Sequence, residues 1–299
     1  MNKTSSFETF MRKQINALYS ARKNRTAETY LTTLNRFKDF LDGQDIRFCE
    51  MTAGLIEAFE RHLLSLGLCR NTTSFYMRVL RAVYNRGVSQ GLSRQRSPFR
   101  NVYTGVDHTR KRAVPLRVIQ ALRRLELDDS PSLALARDLF LFSFYTRGMS
   151  FIDMAFLRRS DLYDGMLHYC RRKTGQDLYI RWEPCMQEIV DRYPSNRNGF
   201  LLPVIITPGK DERQQYKNAM IRTNRGLAVI SSMLGLPAPI TTYAARHSWA
   251  SIAYSHNVPV SLISEGMGHD SEKTTRIYLA SLSHTRIDRA NHRILSLIS

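Results

Sequence analysis

Cysteine is scarce in this chain of 299 residues, and its four copies lie far apart. Cys49, Cys69, Cys170 and Cys185 form no Cys-x-x-Cys pair. Their spacing predicts neither a zinc site nor a disulfide framework, because both need cysteines in characteristic close sets. We expect four reduced thiols.

Long apolar runs are also missing. No stretch approaches 18 apolar residues, and the first ten residues lack the apolar segment of a signal peptide. These absences argue against a membrane span and a secretory leader. The sequence therefore predicts a soluble, cytoplasmic protein with no membrane partner.

Two groups of enzyme motifs do not occur. The chain has no His-Glu-x-x-His motif, no paired carboxylates at metal-ligand spacing and no Walker-type phosphate-binding loop. A metal-dependent enzyme and a nucleotide-driven helicase therefore find little support. We expect no metal and no cofactor.

Acidic residues are outnumbered by basic ones. Lys and Arg total 44 against 26 Asp and Glu, which gives a net charge of +18. Up to Asp107 there are 17 basic and 9 acidic residues, and beyond it 27 and 17. Charge spread over both parts predicts two domains that each contact a polyanion such as nucleic acid. The alternative is a generally basic, solvated surface.

The first hundred residues have helical periodicity. Apolar stripes predict three helices, and the first has its stripe at Tyr30, Leu34, Phe37 and Leu41. Thr52 is expected to cap the second helix, whose apolar face is formed by Leu55, Phe59, Leu63 and Leu66. The third helix begins at Asn71 or Thr72, with its inner face at Phe75, Val79 and Val83 and its outer faces at Arg78, Arg81 and Arg86. This pattern is typical of a small helical bundle.

Apolar periodicity lapses between Ser97 and Pro115. We place a linker at 108–115, containing the basic cluster Arg110, Lys111 and Arg112, between domains at 1–107 and 116–299. The second domain begins with helical patterns. Its residues 133–145 are apolar almost all round, which predicts a buried core helix.

The period changes to two around residues 167–182. Alternating apolar residues flank a polar turn at 173–176, which predicts a β-hairpin with Lys173 at its tip. The fold class is therefore mainly α, with a small β-hairpin in the second domain.

Cutting a phosphodiester without a metal requires a nucleophile, cations for the phosphate and an acid for the leaving oxygen. The second domain has candidates for all three. They lie in five segments: Tyr145–Asp153, Arg172–Gly175, Tyr243–His247, Gly268–His269 and Thr274–Tyr278.

In order and spacing, these five segments resemble the tyrosine recombinase (phage integrase) family across essentially the whole second domain. The most specific element has nine positions from His269 to Tyr278. The N-terminal bundle resembles the family's core-binding domain through Thr29-Tyr30 and the stripe from Phe37 to Leu41. The resemblance implies a helical SAM-like core-binding bundle followed by a mixed α+β catalytic domain.

The resemblance also implies roles for individual residues. Tyr278 attacks the DNA phosphate and forms a covalent 3′-phosphotyrosyl link. Arg147 and Arg246 clamp the phosphate, because a guanidinium can bind it through two parallel hydrogen bonds. Lys173 protonates the leaving 5′ oxygen, and His269 binds a phosphate oxygen.

One motif departs from the family pattern. The family usually has His-x-x-Arg, but here Tyr243 precedes Arg246. A tyrosine can bind the phosphate or relay a proton, yet its pKa near 10 makes it a poorer base than imidazole. His247 is either a supporting imidazole or a packed structural histidine. Asp153 is expected to support the site as a helix-capping carboxylate after Ser150.

Five further basic residues are predicted to contact DNA phosphates. They are Arg171 and Arg172 beside the hairpin lysine, and Arg110, Lys111 and Arg112 in the linker.

The leading interpretation is a site-specific recombinase of the simple two-domain type, similar to Xer recombinases and DNA invertases. It would act on double-stranded DNA as a homotetramer on two sites, with a monomer as one possibility without DNA. Integration, inversion and resolution share this chemistry and stay open. A type IB topoisomerase and a non-catalytic DNA-binding regulator are the alternatives. The apolar run Ile294, Leu295, Leu297 and Ile298 fits docking on a neighbouring subunit or on its own domain.

Overall fold

In the computed structural model, the described residues are 6–107, 113–193, 199–279 and 295, without the side chains of Ile277 and Tyr278. The chain divides into two compact units, Met1–Thr109 and Arg110–Ser299. Most of the predicted linker, including Arg110, Lys111 and Arg112, lies outside the described residues. The predicted C-terminal apolar run does too, except for Leu295.

The described part of the first unit is helical. It contains α1 (Phe7–Ser20), α2 (Asn24–Phe40), a short 3₁₀-helix (Phe48–Glu50), α3 (Ala53–Ser65) and α4 (Arg70–Ser89). The sequence prediction misses α1, although the spacing of its buried residues is helical: Phe7, Phe10, Met11 and Ile15. Ser6 caps this helix, because its hydroxyl accepts a hydrogen bond from the Thr9 amide at 2.9 Å.

Helix α3 begins as predicted and differs on its buried face. The hydroxyl of Thr52 accepts a hydrogen bond from the Leu55 amide at 3.3 Å, which confirms the cap. The buried side chains are Ile56, Phe59 and Leu63. The prediction for Leu66 is wrong, since α3 ends at Ser65 and Leu66 is exposed.

The segment Tyr103–Asp107 is fastened to α4. Arg78 donates to the Gly105 carbonyl at 2.9 Å, and Arg81 donates to the Thr104 hydroxyl at 2.8 Å. Arg81 is exposed on an outer face, as predicted, and Arg78 is half-buried beside this segment. Their charge-assisted hydrogen bonds hold the end of this unit in place.

The second unit combines helices with one small sheet. Its described elements are α5 (Leu116–Arg124), α6 (Pro131–Tyr145), α7 (Phe151–Ala155), a 3₁₀-helix (Arg159–Asp161), β1 (Leu162–Tyr163), β2 (Met166–Cys170), β3 (Asp177–Arg181), α8 (Pro184–Asp191), α9 (Glu212–Met233), α10 (Thr242–Ser255), α11 (Val260–Gly266) and α12 (Glu272–Leu279).

Helix α6 is the predicted core helix, and it packs against α9 and α10. It also buries a carboxylate that the apolar pattern conceals. Asp138 is fully buried and accepts hydrogen bonds from Arg137 Nε at 2.8 Å, from Arg192 at 3.1 Å and from the Tyr193 hydroxyl at 2.9 Å. These partners compensate the cost of burying its charge.

The sheet is antiparallel, in the order β1-β2-β3. Strands β2 and β3 form the predicted hairpin, and Leu167 opposite Ile180 and Tyr169 opposite Leu178 form its buried face. Strand β1 has only two residues, too few for a period-two pattern to reveal. The mainly helical fold with a small sheet confirms the predicted fold class. Among the described helices, none combines the length and apolarity needed to cross a membrane.

Candidate active site

The turn between α6 and α7 places Arg147. Both Arg147 (φ 58°) and Gly148 (φ 76°) have left-handed backbone conformations. Two hydrogen bonds hold the turn: the Gly148 amide donates to the Ser143 carbonyl, and the Ser143 hydroxyl donates to the Met149 carbonyl, both at 2.7 Å. A left-handed arginine costs of order 1 to 3 kcal/mol, so the surrounding contacts must impose it.

Arg246 is buried on α10, with 3% of its surface exposed. Its guanidinium donates to the Gly148 carbonyl at 2.8 Å and to the Met267 carbonyl at 2.5 Å. These two bonds fix the plane of the guanidinium. They also join the Arg147 turn to the residues that follow α11.

Gly148 lies too close to Arg246 to carry a side chain. A Cβ at position 148 would stand 2.6 Å from the Arg246 Cα. We therefore expect Gly148→Ala to lower the free energy of unfolding in urea titrations by about 1 to 2 kcal/mol for the left-handed backbone and by about 1 to 3 kcal/mol more for the displaced helix.

Gly165→Ala is the matched control for that measurement. Gly165 is also left-handed (φ 69°), but nothing lies within 4 Å of its missing Cβ. This variant should show the backbone cost alone. Equal losses in the two variants would show that the approach of Arg246 does not constrain position 148.

Three arginines converge on the segment Gly266–His269, which we call the 266–269 segment. The Cδ of Arg147 lies 3.5 Å from where a Cβ on Gly266 would stand. Arg246 bonds to the Met267 carbonyl, and Arg171 donates to the Gly268 carbonyl. The structure thus brings Arg147, Arg246 and His269 together from three separate sequence segments.

His269 is a neutral imidazole at the end of this segment. It is 8% exposed, and its Nδ1 lies 2.7 Å from the Thr275 hydroxyl. Burial lowers its pKa to about 3, assisted by the positive charges of Arg246, Arg171 and Lys173. The ring is therefore uncharged at neutral pH and can donate one hydrogen bond without bringing a charge.

Lys173 is exposed at the tip of the hairpin, as predicted. The carbonyl of Arg171 closes the turn by accepting hydrogen bonds from the amides of Gly175 at 2.8 Å and Thr174 at 3.3 Å. The charge of Lys173 contributes to the lowered pKa of His269, so the lysine shares the electrostatic environment of the 266–269 segment.

Asp153 connects α7 to the hairpin. Its side chain is buried, accepts the Ser150 hydroxyl at 2.6 Å and accepts the Arg172 amide at 3.0 Å. The Ser150 hydroxyl in turn accepts the Asp153 amide at 3.4 Å, which confirms the predicted cap. The exposed Arg172 guanidinium lies 3.9 Å from the centre of the Phe156 ring. These contacts fit a supporting position for Asp153.

Tyr243 and His247 form a contacting pair on α10. Tyr243 is 52% exposed, while His247 is buried. Their rings meet edge to face with centres 4.7 Å apart. The imidazole is thus packed beneath the tyrosine that replaces the family's usual histidine.

Tyr278 lies on α12, and its side chain is outside the described residues. Its helix is fixed by two neighbours: Thr275 is fully buried beside His269, and Leu279 is buried in the cluster formed by α10, α11 and α12. Sequence reasoning did not single out Thr275. A threonine six residues after a site histidine was the available signal.

The comparisons with known proteins cover both units. Residues 6–102 match the family described as the phage integrase SAM-like domain. Tyrosine recombinase XerC of Rickettsia canadensis (strain McKiel) is 29% identical over 118 residues, which are 38% of this chain and 36% of that protein. The alignment therefore spans about a third of the length of this relative.

Two solved structures extend the likeness to nearly the full chain. A lambda integrase tetramer bound to a Holliday junction matches with a TM-score of 0.68 and 14% identity, over 93% of this chain and 78% of that chain. The Tn1549 transposon integrase in complex with transposon right end DNA matches with a TM-score of 0.65 and 15% identity, over 99% and 100%. The chain therefore has the two-domain fold of the tyrosine recombinases, and the resemblance to that family predicted from its sequence is confirmed.

Proposed function

We propose that this protein is a site-specific DNA recombinase that cleaves and rejoins strands through a 3′-phosphotyrosyl link to Tyr278. The observation that carries the proposal is the meeting of Arg147, Arg246 and His269 around the 266–269 segment. The helix that carries Tyr278 is joined to His269 by Thr275.

The phosphate-binding step uses preorganised donors. Arg147 is half-buried, and no other side chain in the described part of the chain bonds to its guanidinium, so its N–H groups are available. Arg246 is already oriented by two carbonyl groups. Two guanidinium groups and a neutral imidazole donor stabilise the negative charge that develops on the phosphate oxygens, which is why we propose a metal-independent reaction.

The covalent step is balanced without an external energy source. The Tyr278 oxygen forms a bond to phosphorus, the bond to the 5′ oxygen breaks, and Lys173 supplies the proton to that leaving oxygen. A free 5′ hydroxyl then attacks the phosphotyrosyl ester and releases the tyrosine. Because the ester conserves the bond energy, rejoining needs no ATP.

The proton of Tyr278 must also leave, and Tyr243 is our candidate to assist. Its hydroxyl is on an exposed ring held by His247. We propose that it binds the phosphate or relays the proton, since it is a poor base itself at neutral pH.

Double-stranded DNA with a recombination site is the proposed partner, and a homotetramer is the proposed working form. The net charge of +18 supports a polyanionic partner. The lambda integrase tetramer on a Holliday junction and the Tn1549 integrase on transposon end DNA support both proposals by analogy of fold. Integration of a mobile element, inversion and resolution use the same chemistry.

Strand exchange between two labelled duplexes tests the function. Candidate sites would be sought as inverted repeats in the DNA around the gene, and EDTA removes divalent ions. We expect recombinant duplexes in EDTA. Relaxation of supercoils without exchange would favour a type IB topoisomerase, and specific binding without any covalent product would favour a regulator.

The neutral state of His269 predicts how stability depends on pH. The pKa of this histidine falls from 6.5 to about 3 on folding, so the unfolded chain binds more protons than the folded one between these values. Its contribution to the free energy of unfolding is therefore complete above about pH 6.5 and is lost as the pH falls towards 3. Urea titrations at about pH 7 and pH 5 should show this loss.

His269→Asn is the control for that dependence and keeps a neutral donor. The difference in unfolding free energy between the two pH values should be smaller in this variant than in the parent. An unchanged difference would mean that folding does not lower the pKa of His269.

A further inference from the structure

Arg171 makes contacts that the proposed mechanism does not use. Although it was predicted to contact DNA, it is only 6% exposed, and its guanidinium donates to the carbonyl of Gly268, the residue before His269. Its Cδ lies 3.2 Å from where a Cβ on Gly268 would stand. The side chain is thus committed to the 266–269 segment.

The backbone of the same residue closes the hairpin turn. Its amide donates to the Gln176 carbonyl at 2.8 Å, and its carbonyl accepts the amides of Gly175 and Thr174. Lys173 lies between these bonded positions. One residue therefore holds the turn that presents the lysine and, through its side chain, the segment that presents the histidine.

The conformation of Gly268 fixes the position of the carbonyl that accepts the Arg171 hydrogen bond. Gly268 has a left-handed backbone (φ 62°), and a Cβ there would stand 3.0 Å from Leu178 Cδ1 and 3.1 Å from Gln176 Oε1. The carbonyl that receives Arg171 is therefore held against the hairpin by a conformation that favours glycine. If the hairpin or the 266–269 segment moves, the hydrogen bond from Arg171 to Gly268 must break or the other part must move with it.

We propose that Arg171 is a positioning residue that couples Lys173 to His269, so that the leaving-group acid and the phosphate-binding imidazole are held in fixed positions relative to each other. This inference rests on the proposed function and adds to it a residue that does not touch the substrate. The exposed Arg172 is better placed for a phosphate contact.

Arg171→Met tests the coupling, because methionine fills the buried space and cannot donate. A misplacement of catalytic groups by about 1 Å can cost roughly 10²-fold in rate. We expect a loss of this size in single-turnover cleavage of a suicide substrate at saturating protein. Arg171→Lys keeps a donor and should recover part of the rate.

A substrate with sulfur in place of the leaving 5′ oxygen distinguishes a loss of proton transfer from Lys173 from a misplaced His269. A thiolate needs no proton to leave, so this substrate should restore Lys173→Ala to near the parental rate. It should restore Arg171→Met only in part, because the fault at His269 persists. Complete restoration of Arg171→Met, or no loss on the oxygen substrate, would overturn the coupling.

Hydrogen exchange of the DNA-free protein provides a measurement that does not depend on cleavage. In Arg171→Met, the amides of Gly175 and His269 should both exchange faster, while Arg181→Met, an exposed arginine on β3, should leave both unchanged. Faster exchange at only one of the two amides would contradict the coupling. A parental protein that forms no covalent product would instead refute the proposed function, and the exchange result would still decide the role of Arg171.

Discussion

Tyr278→Phe is expected to abolish covalent attachment to DNA completely. With a nicked site from which the 5′ hydroxyl fragment diffuses away, the parental protein should accumulate a 3′-phosphotyrosyl adduct in EDTA, since in the proposed mechanism Arg147, Arg246, Lys173 and His269 supply the charge stabilisation and the proton. Phenylalanine removes only the attacking oxygen and keeps the ring. Folding and DNA affinity should therefore be nearly unchanged. Denaturing gels report the adduct, and peptide mapping identifies its residue.

Tyr163→Phe is the control for this result. Tyr163 is an exposed tyrosine on β1, and losing its hydroxyl should leave adduct formation at the parental level. An adduct mapped to a residue other than Tyr278, or a strict requirement for a divalent ion, would overturn the mechanism.

Removing either arginine of the proposed phosphate clamp should have the next largest effect. Loss of one preorganised donor typically costs about 3 to 4 kcal/mol in the transition state, or a factor of roughly 10² to 10³. We expect losses of this size in single-turnover cleavage by Arg147→Ala and Arg246→Ala at saturating protein. Both variants should still bind DNA.

The two clamp variants should differ in stability. Arg246 bonds to the carbonyls of Gly148 and Met267, so Arg246→Ala should also lower the unfolding midpoint. Arg147→Ala removes a guanidinium that has no bonded partner among the described residues and keeps the Cβ and the left-handed backbone, so it should change the midpoint little. Arg225→Ala, an exposed position on α9, is the control for both. If either variant cleaves at the parental rate, the arginine it lacks does not belong to the phosphate clamp.

Local features of the fold could be predicted from the sequence because they depend on neighbouring residues. Thr52 and Ser150 cap their helices as expected, and the hairpin presents Lys173 at its turn. The prediction fails for Leu66, because the apolar stripe does not show where α3 ends. Helix α1 was missed although Ser6 and its apolar spacing were visible.

The prediction of the candidate site depended on the resemblance to a known family more than on the periodicity of the sequence. No periodicity relates Arg147 to Arg246, because their proximity is created by the packing of α6 against α10. Arg171 shows what a purely local reading overlooks. It continues the inward alternation of Leu167 and Tyr169 on β2, yet beside Arg172 and Lys173 it resembled one more surface charge.

The bond between Arg246 and the Gly148 carbonyl has a consequence for synthesis of the protein. It joins residues 98 positions apart, and the Arg171 bond to Gly268 joins residues 97 apart. Closing such long loops comes late in folding. In a nascent chain, the proposed phosphate clamp therefore cannot form before α10 and the 266–269 segment have been made.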